Sequence, residues 1–305
     1  MMTAVYLFAA VPISPAFFLG PLAALLLASR PRTRREWFWI ALPVVVLAAW
    51  LQLPTSLAEQ TVRASAVFFV GSFVAVTLAG MRTLIGRSIA AVTIAALATT
   101  AWFLALHFRF ATVESELIAQ TWEAWRNFYA NLPADLPPPG DFFTEWSSAD
   151  QARQFAAGLT AGATVFPAFL ALWALAGVRL AWGWYHRIAR TPFPPPAGQF
   201  RNFRFNDQLI WLLVGALAAA LLGHVRPVVL AGTNVLLVIG VLYSLRGLAI
   251  MRMSVLRASP VFVGLLILMM LALVPVSPLI LAMIGITDTW VDFRRRMAPP
   301  TGAAT

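Results

Sequence analysis

The feature that most constrains this chain is a succession of long apolar runs broken by short arginine-bearing segments. The runs cover residues 5–29, 37–53, 64–80, 88–108, 156–182, 208–223, 227–245 and 260–286. A helix needs roughly 20 mostly apolar residues to cross the hydrocarbon layer. The runs are continuous and do not alternate in ten-residue segments. That selects helices over a β-barrel, the other structure that leaves no backbone group unsatisfied in lipid. With 60% hydrophobic and only 11% charged residues, the polar surface is too small to cover a water-soluble globule. The expected fold is all-α: a polytopic transmembrane bundle of about eight spans with an extracytoplasmic amphipathic helical segment, and the lipid bilayer as first partner.

The net charge of +10 does not imply nucleic acid, because the basic residues, all of them arginine, sit in clusters between the apolar runs. There they orient helices against the membrane potential and anionic lipids. Arg30, Arg32, Arg34 and Arg35 mark the first connection as cytoplasmic, and Arg82 and Arg87 mark the third. Arg187, Arg190, Arg201 and Arg204 mark the fifth, and Arg246, Arg252 and Arg257 the seventh. The alternation places the N-terminus outside. The first run lacks a basic leader and a small-residue cleavage site, so it reads as a retained helix. The last run breaks the pattern: one crossing would put Arg294, Arg295 and Arg296 outside. Pro275 and Pro278 lie within it, and a broken or re-entrant element returning to the cytoplasm would restore the rule.

Residues 109–155 form the one sizeable polar region, with seven of the twelve acids against three arginines. Val113, Leu117, Ile118, Trp122, Trp125, Phe128, Tyr129 and Leu132 recur at three- and four-residue steps, which gives one apolar helical face. The segment is either an interfacial helix on the outer leaflet or a lid over an outward-facing cavity; the Pro-rich stretch 133–140 ends the helix. The expected division is a four-span N-terminal bundle (1–108), the amphipathic segment (109–155), a C-terminal membrane half (156–297) and a disordered tail (298–305).

No constellation for chemistry stands out. Cysteine is absent, which removes disulfides, thiolate metal sites and cysteine nucleophiles. No acid falls inside an expected span, and His107, His186 and His224 stand at three separate span ends, without metal-ligand spacing. There is no glycine-rich phosphate loop. The expectation is therefore a protein that is not an enzyme, with no catalytic residues, no cofactor and no metal.

Small and neutral polar residues remain. Ala16, Gly20, Ala24 and Ala28 recur at four-residue spacing, a strip suited to helix packing or to docking of a partner helix. Thr233, Gly240, Ser244 and Gly247 share one face of the seventh run, with Asn234 at its rim. The Asn234 amide needs a hydrogen-bonding partner in hydrocarbon, either a neighbouring helix or a ligand; Asn234, Thr233 and Ser244 are the ligand-facing candidates. In the tail, Asp288 and Asp292 are one helical turn apart, Asp292 and Arg296 form an i,i+4 pair, and Trp290 suits the interface.

Several of these stretches together resemble the YybS family of uncharacterised bacterial membrane proteins. They are Phe166-Pro167-Ala168, Phe200-Arg201-Asn202-Phe203-Arg204, Asn234 followed by Tyr243-Ser244-Leu245-Arg246-Gly247-Leu248-Ala249, and Gly285 followed by Asp288-Thr289-Trp290-Val291-Asp292-Phe293-Arg294. The resemblance spans about residues 160–297. It departs at Asn206-Asp207, where the family tends to carry proline. It implies a multi-pass protein of the bacterial cytoplasmic (inner) membrane. That family is distantly similar to the substrate-binding S components of energy-coupling-factor transporters, which implies small-molecule uptake with other membrane subunits and a partner's ATPase. The Ala16–Ala28 strip would then be the docking surface, and Asp288, Trp290, Asp292 and Arg294 the family-like tail. The alternative is a non-transporting scaffold or regulatory protein acting through its amphipathic segment or its tail.

Overall fold

The structure is a computed structural model that describes residues 15–53, 55–80, 83–130, 149–193, 195–255, 259–273 and 276–293. Every regular element among them is helical: α1 Ala16–Ala28, α2 Arg34–Gln52, α3 Leu57–Leu78, α4 Leu84–Ala105, α5 Phe110–Ala130, α6 Ala149–Thr164, α7 Phe166–Ile188, a 3-10 turn Phe200–Asn202, α8 Leu209–Leu222, α9 Arg226–Val255, α10 Pro260–Ala272 and α11 Ser277–Val291. Among the described residues four helices are long and apolar enough to cross a membrane: α3, α4, α7 and α9 through Met253. The bent pair α10–α11 makes a fifth candidate, and α1 and α8 are apolar but shorter. The features expected at residues 1–14 and 131–148, at Arg82, Arg257, Pro275, Arg294, Arg295 and Arg296, and in the tail 298–305 lie outside the described residues.

The chain forms two compact units, Met1–Pro196 and Ala197–Thr305. Helix α7 packs on α1, α3 and α4 and so belongs to the first unit. At the α1–α7 crossing the backbones touch: a Cβ on Gly177 would overlap the Phe17 carbonyl oxygen. Gly20 faces Val70 of α3 as closely, and Phe17, Leu22, Phe69 and Phe73 fill the space around them. The expected span 156–182 is in fact two helices. Pro167 lacks an N–H and crowds the preceding turn, so α6 stops at Thr164 and α7 restarts at Phe166 with proline in its first turn.

Helix starts follow local capping chemistry. Thr33 and Glu36 form a reciprocal capping box on α2. Ser56, Thr83 and Ser259 each accept an N–H from the first turn of α3, α4 and α10.

The ends of the first unit sort as the arginine alternation requires. At one end, the Glu36 carboxylate joins the connection after α1 to the one after α7. Oε1 accepts from Arg190 N–H at 2.8 Å. Oε2 accepts from Arg32 N–H, Thr33 N–H and Thr33 Oγ1, each at 2.9 Å. Nearby, the Tyr185 hydroxyl accepts from Phe193 N–H and Trp182 Nε1 donates to Pro195 O. Arg87, at the start of α4, lies over the Trp182 ring, so the third connection shares this end. At the opposite end, α5 packs against α3 and α6. Ala58 N–H donates to Glu116 at 2.9 Å, Gln120 to Ser56 at 3.0 Å and Thr164 to Glu114 at 3.2 Å.

Helix α5 therefore caps this end of the first unit. Its buried positions are Val113, Glu114, Leu117 and Thr121, whereas Trp122 is exposed.

Glu36 is covered locally, near the surface of the bundle. The N–H donors of Arg190, Arg32 and Thr33 hold its carboxyl at about 2, against an ordinary 4.5. A carboxyl held below its unfolded value contributes stability that is complete above pH 4.5 and is lost as pH falls toward 2. The clamp is accordingly expected to survive at pH 4. Glu36→Gln should lower the thermal midpoint at pH 7 and lose that penalty at pH 2; an equal penalty at both pH values would contradict the assignment.

Candidate functional site

The second unit is organised by α9, which packs on α8 near its start and on α11 near its end. Thirty residues long, α9 runs ten residues past the expected boundary at 245. Arg246 is therefore not a loop charge but a side chain within the helix. At the α9–α11 crossing both partners are glycine: a Cβ on Gly247 would overlap the Leu281 carbonyl oxygen, and one on Gly285 the Tyr243 carbonyl oxygen. Only residues without a side chain allow two helix backbones this close.

The crossing places Arg246, fully buried, beside Asp288, which is 2% exposed. Arg246 Nε donates to Asp288 Oδ2 at 2.9 Å, and Nη1 donates to Asp207 Oδ1 at 2.7 Å. Asp207 also accepts from Arg204 Nη2 at 2.8 Å, and Asp288 Oδ1 accepts from Phe293 N–H at 3.1 Å. The Arg246 guanidinium lies over the Phe205 ring at 5.5 Å, and Phe205 meets Tyr243 edge-on at 5.0 Å. Asp207, half-exposed, sits before α8. Burial pushes its carboxyl up, but the hydrogen bonds and charges of Arg204 and Arg246 outweigh burial and leave it below the ordinary carboxylate range.

The network is not saturated. Arg246 Nη2, the Tyr243 hydroxyl and the Thr289 hydroxyl are buried and make no hydrogen bond of good geometry among the described residues, although the two hydroxyls are neighbours. A buried donor without a partner costs about 1–3 kcal/mol, so Arg246 Nη2 and the Tyr243 and Thr289 hydroxyls mark a place where a further polar group would be favourable.

The expected site residues are distributed differently. Asn234 is buried, and its Nδ2 donates to Leu230 O of its own helix at 2.9 Å. Thr233 donates to Val229 O at 2.9 Å. Ser244 lies near Arg246 and reaches both Gly240 O and, across to α11, Pro278 O at 2.7 Å. In the Ala16–Ala28 strip, Ala16 and Gly20 are buried in the first unit, Ala24 is half-buried and Ala28 exposed. Trp290 is 70% exposed.

The tail reading needs one correction. Asp288 is an acid inside a helix of the membrane part, buried against Arg246, where no span was expected to hold one. Asp292 adopts a left-handed conformation (φ 46°) that ends α11 after Val291, and its expected partner Arg296 lies outside the described residues. Sequence reasoning also passed over Asp207, seen only as a departure from proline, and Arg246. The available signal was that Arg246 is followed by Gly-Leu-Ala-Ile-Met, a continuation of the apolar helix.

Helix α10 packs little on the rest of its unit and exposes Val261, Leu265, Leu268 and Leu271. The direction changes by 117° between α10 and α11. The chain thus doubles back, and α11 ends at the level of Asp207 and Arg246.

These features define a polytopic helical membrane protein with an internal Arg–Asp network. Its sequence matches, over residues 1–289, the family model described as "Predicted membrane protein (DUF2232)", and the chain belongs to that family. No curated protein and no solved structure gives a significant match.

Proposed function

We propose that the protein is a substrate-binding component of small-molecule uptake, seated in the bacterial cytoplasmic membrane and working without an ATPase or enzymatic activity of its own. In this reading α1, α2, α3, α4, α7, α8 and α9 are seven crossings, and α10–α11 is a re-entrant pair. The N-terminus is then outside and the C-terminus inside, which removes the conflict posed by Arg294–Arg296. The observation that carries it is the set of three unfilled buried donors, Arg246 Nη2, Tyr243 Oη and Thr289 Oγ1. Arg204 and Arg246 are matched by Asp207 and Asp288. The site therefore suits an uncharged or zwitterionic molecule rich in acceptor atoms better than a free anion. The likeness to YybS proteins and S components supports the same assignment.

Purified protein in nanodiscs should be stabilised saturably by a compound of that class in a thermal-shift screen, and Tyr243→Phe with Thr289→Val should abolish the effect. In a dry core the same double variant would instead stabilise the unliganded protein by removing unsatisfied hydroxyls, and no compound would bind. That result would favour the second reading, a non-transporting scaffold, to which the hydrogen bonds that Asn234, Thr233 and Ser244 already make to backbone carbonyls lend weight.

A further inference from the structure

The first unit carries a second feature that the uptake reading does not use. Two arginine clusters more than 150 residues apart in sequence are brought to one end of the bundle by the Glu36 clamp. Arg30, Arg32, Arg34 and Arg35 flank the α1–α2 connection, and Arg187 and Arg190 flank the end of α7; all six are exposed. Glu36 is the one carboxylate among the described residues at this end. Its two oxygens already accept from three backbone N–H groups and the Thr33 hydroxyl, so it gives the arginines no ion pair. Six guanidinium groups therefore face outward without a described counter-ion.

Beside them lies an aromatic layer. Trp39 and Trp184 meet at 5.6 Å, and Phe18 meets Trp184 edge-on at 6.4 Å, which ties α1, α2 and α7 together. Trp37, Phe38 and Trp184 present 54%, 60% and 40% of their surface outward. Aromatic rings with arginines just beyond them form a two-level surface that suits a membrane interface, where rings prefer the acyl boundary and planar forks the phosphates. Arginine binds phosphate bidentately, which a diffuse positive potential cannot do. The clusters stand on two separate connections, so a headgroup with two phosphates can engage both at once.

We propose that this face is a binding site for anionic phospholipid, with preference for a headgroup carrying two phosphates. Binding gains a factor of about five for each arginine near an anionic surface.

The test uses the full-length protein in nanodiscs and reads bound lipid by native mass spectrometry, with exchange against phosphatidylcholine, phosphatidylglycerol or cardiolipin. The wild-type chain should retain cardiolipin at least tenfold over phosphatidylcholine and several-fold over phosphatidylglycerol. Arg32→Gln, Arg34→Gln, Arg187→Gln and Arg190→Gln combined should reduce that preference to near unity; these side chains are exposed, so the fold should hold, as checked by helicity and gel filtration. Arg-to-Lys changes at the same four positions keep the charge and should keep part of the preference while losing the two-phosphate selectivity. The proposal is overturned if the wild type shows no headgroup preference. It also fails if removing other exposed arginines, Arg179 and Arg252, lowers the preference equally, since that would show net charge alone. Displacement by millimolar inorganic phosphate, or by an oligonucleotide, would assign the face to a soluble anion and reject a lipid site.

Discussion

Replacing Arg246 by methionine is expected to destabilise the C-terminal unit by about 3–5 kcal/mol, because it takes from the buried Asp288 carboxylate the guanidinium that donates to it at 2.9 Å. The loss should appear as a lower thermal midpoint in detergent and as early proteolysis of the α9–α11 region. Its size rests on burial: Arg246 is fully enclosed and Asp288 nearly so, whereas Asp207 is 38% exposed at the side chain and its bond contributes little beyond a surface pair. Asp207→Asn should therefore cost under about 1 kcal/mol. The double variant Arg246→Met with Asp288→Leu should recover most of the single-variant loss, because an apolar pair of similar volume replaces the ion pair without a desolvation penalty. An Arg246→Met protein as stable as wild type would show that Asp288 is not held by this guanidinium.

The second large effect concerns the helix crossing. Gly247→Ala and Gly285→Ala each place a methyl group against a backbone carbonyl oxygen, Leu281 O and Tyr243 O respectively. Backbone cannot step aside as a flexible side chain can, so α9 and α11 must separate. Overpacking costs about 1–3 kcal/mol at ordinary sites, and at this one it also stretches the Arg246–Asp288 bond. Both effects oppose the gain of about 1 kcal/mol that alanine brings to a helix. The contrast is Gly240, on the same helix with open space around it. Gly240→Ala should leave stability unchanged or raise it, while Gly247→Ala lowers it by about 2 kcal/mol or more. Unfolding in SDS or by heat reads the difference, and equal behaviour at the two positions would refute the close crossing.

Much of the architecture was legible because hydropathy and arginine placement act over whole segments. The apolar helices fall where the long runs lie, and three arginine-bearing connections of the first unit meet at one end as the alternation required. Boundaries were less legible where one residue overrides a run. Pro167 divides 156–182 in two, and apolar residues beyond Arg246 carry α9 ten residues past 245. The candidate site was harder to see. Asn234 attracted attention as a polar group in hydrocarbon, yet a helix carbonyl four residues back satisfies its amide, a bond that spacing alone does not reveal. Arg246 and Asp288 pair across 42 positions of sequence. Each alone resembled an ordinary charge at a span end; only the glycine-mediated crossing gives them to each other.

The lengths of neighbouring helices in the second unit have a further consequence. At 1.5 Å per residue, the 30-residue α9 is about 45 Å long and the 14-residue α8 about 21 Å. The hydrocarbon layer lies between them at about 30 Å. Apolar side chains of α8, including Trp211, Leu217, Leu221 and Leu222, face outward along its whole length, so in the seven-crossing arrangement proposed above lipid beside α8 would thin while α9 tilts or projects. Each ångström of mismatch costs a fraction of a kcal/mol. Bilayer thickness thus acts as a variable on this unit: shorter acyl chains ease the strain around α8, and longer ones load it onto the helix that carries Arg246.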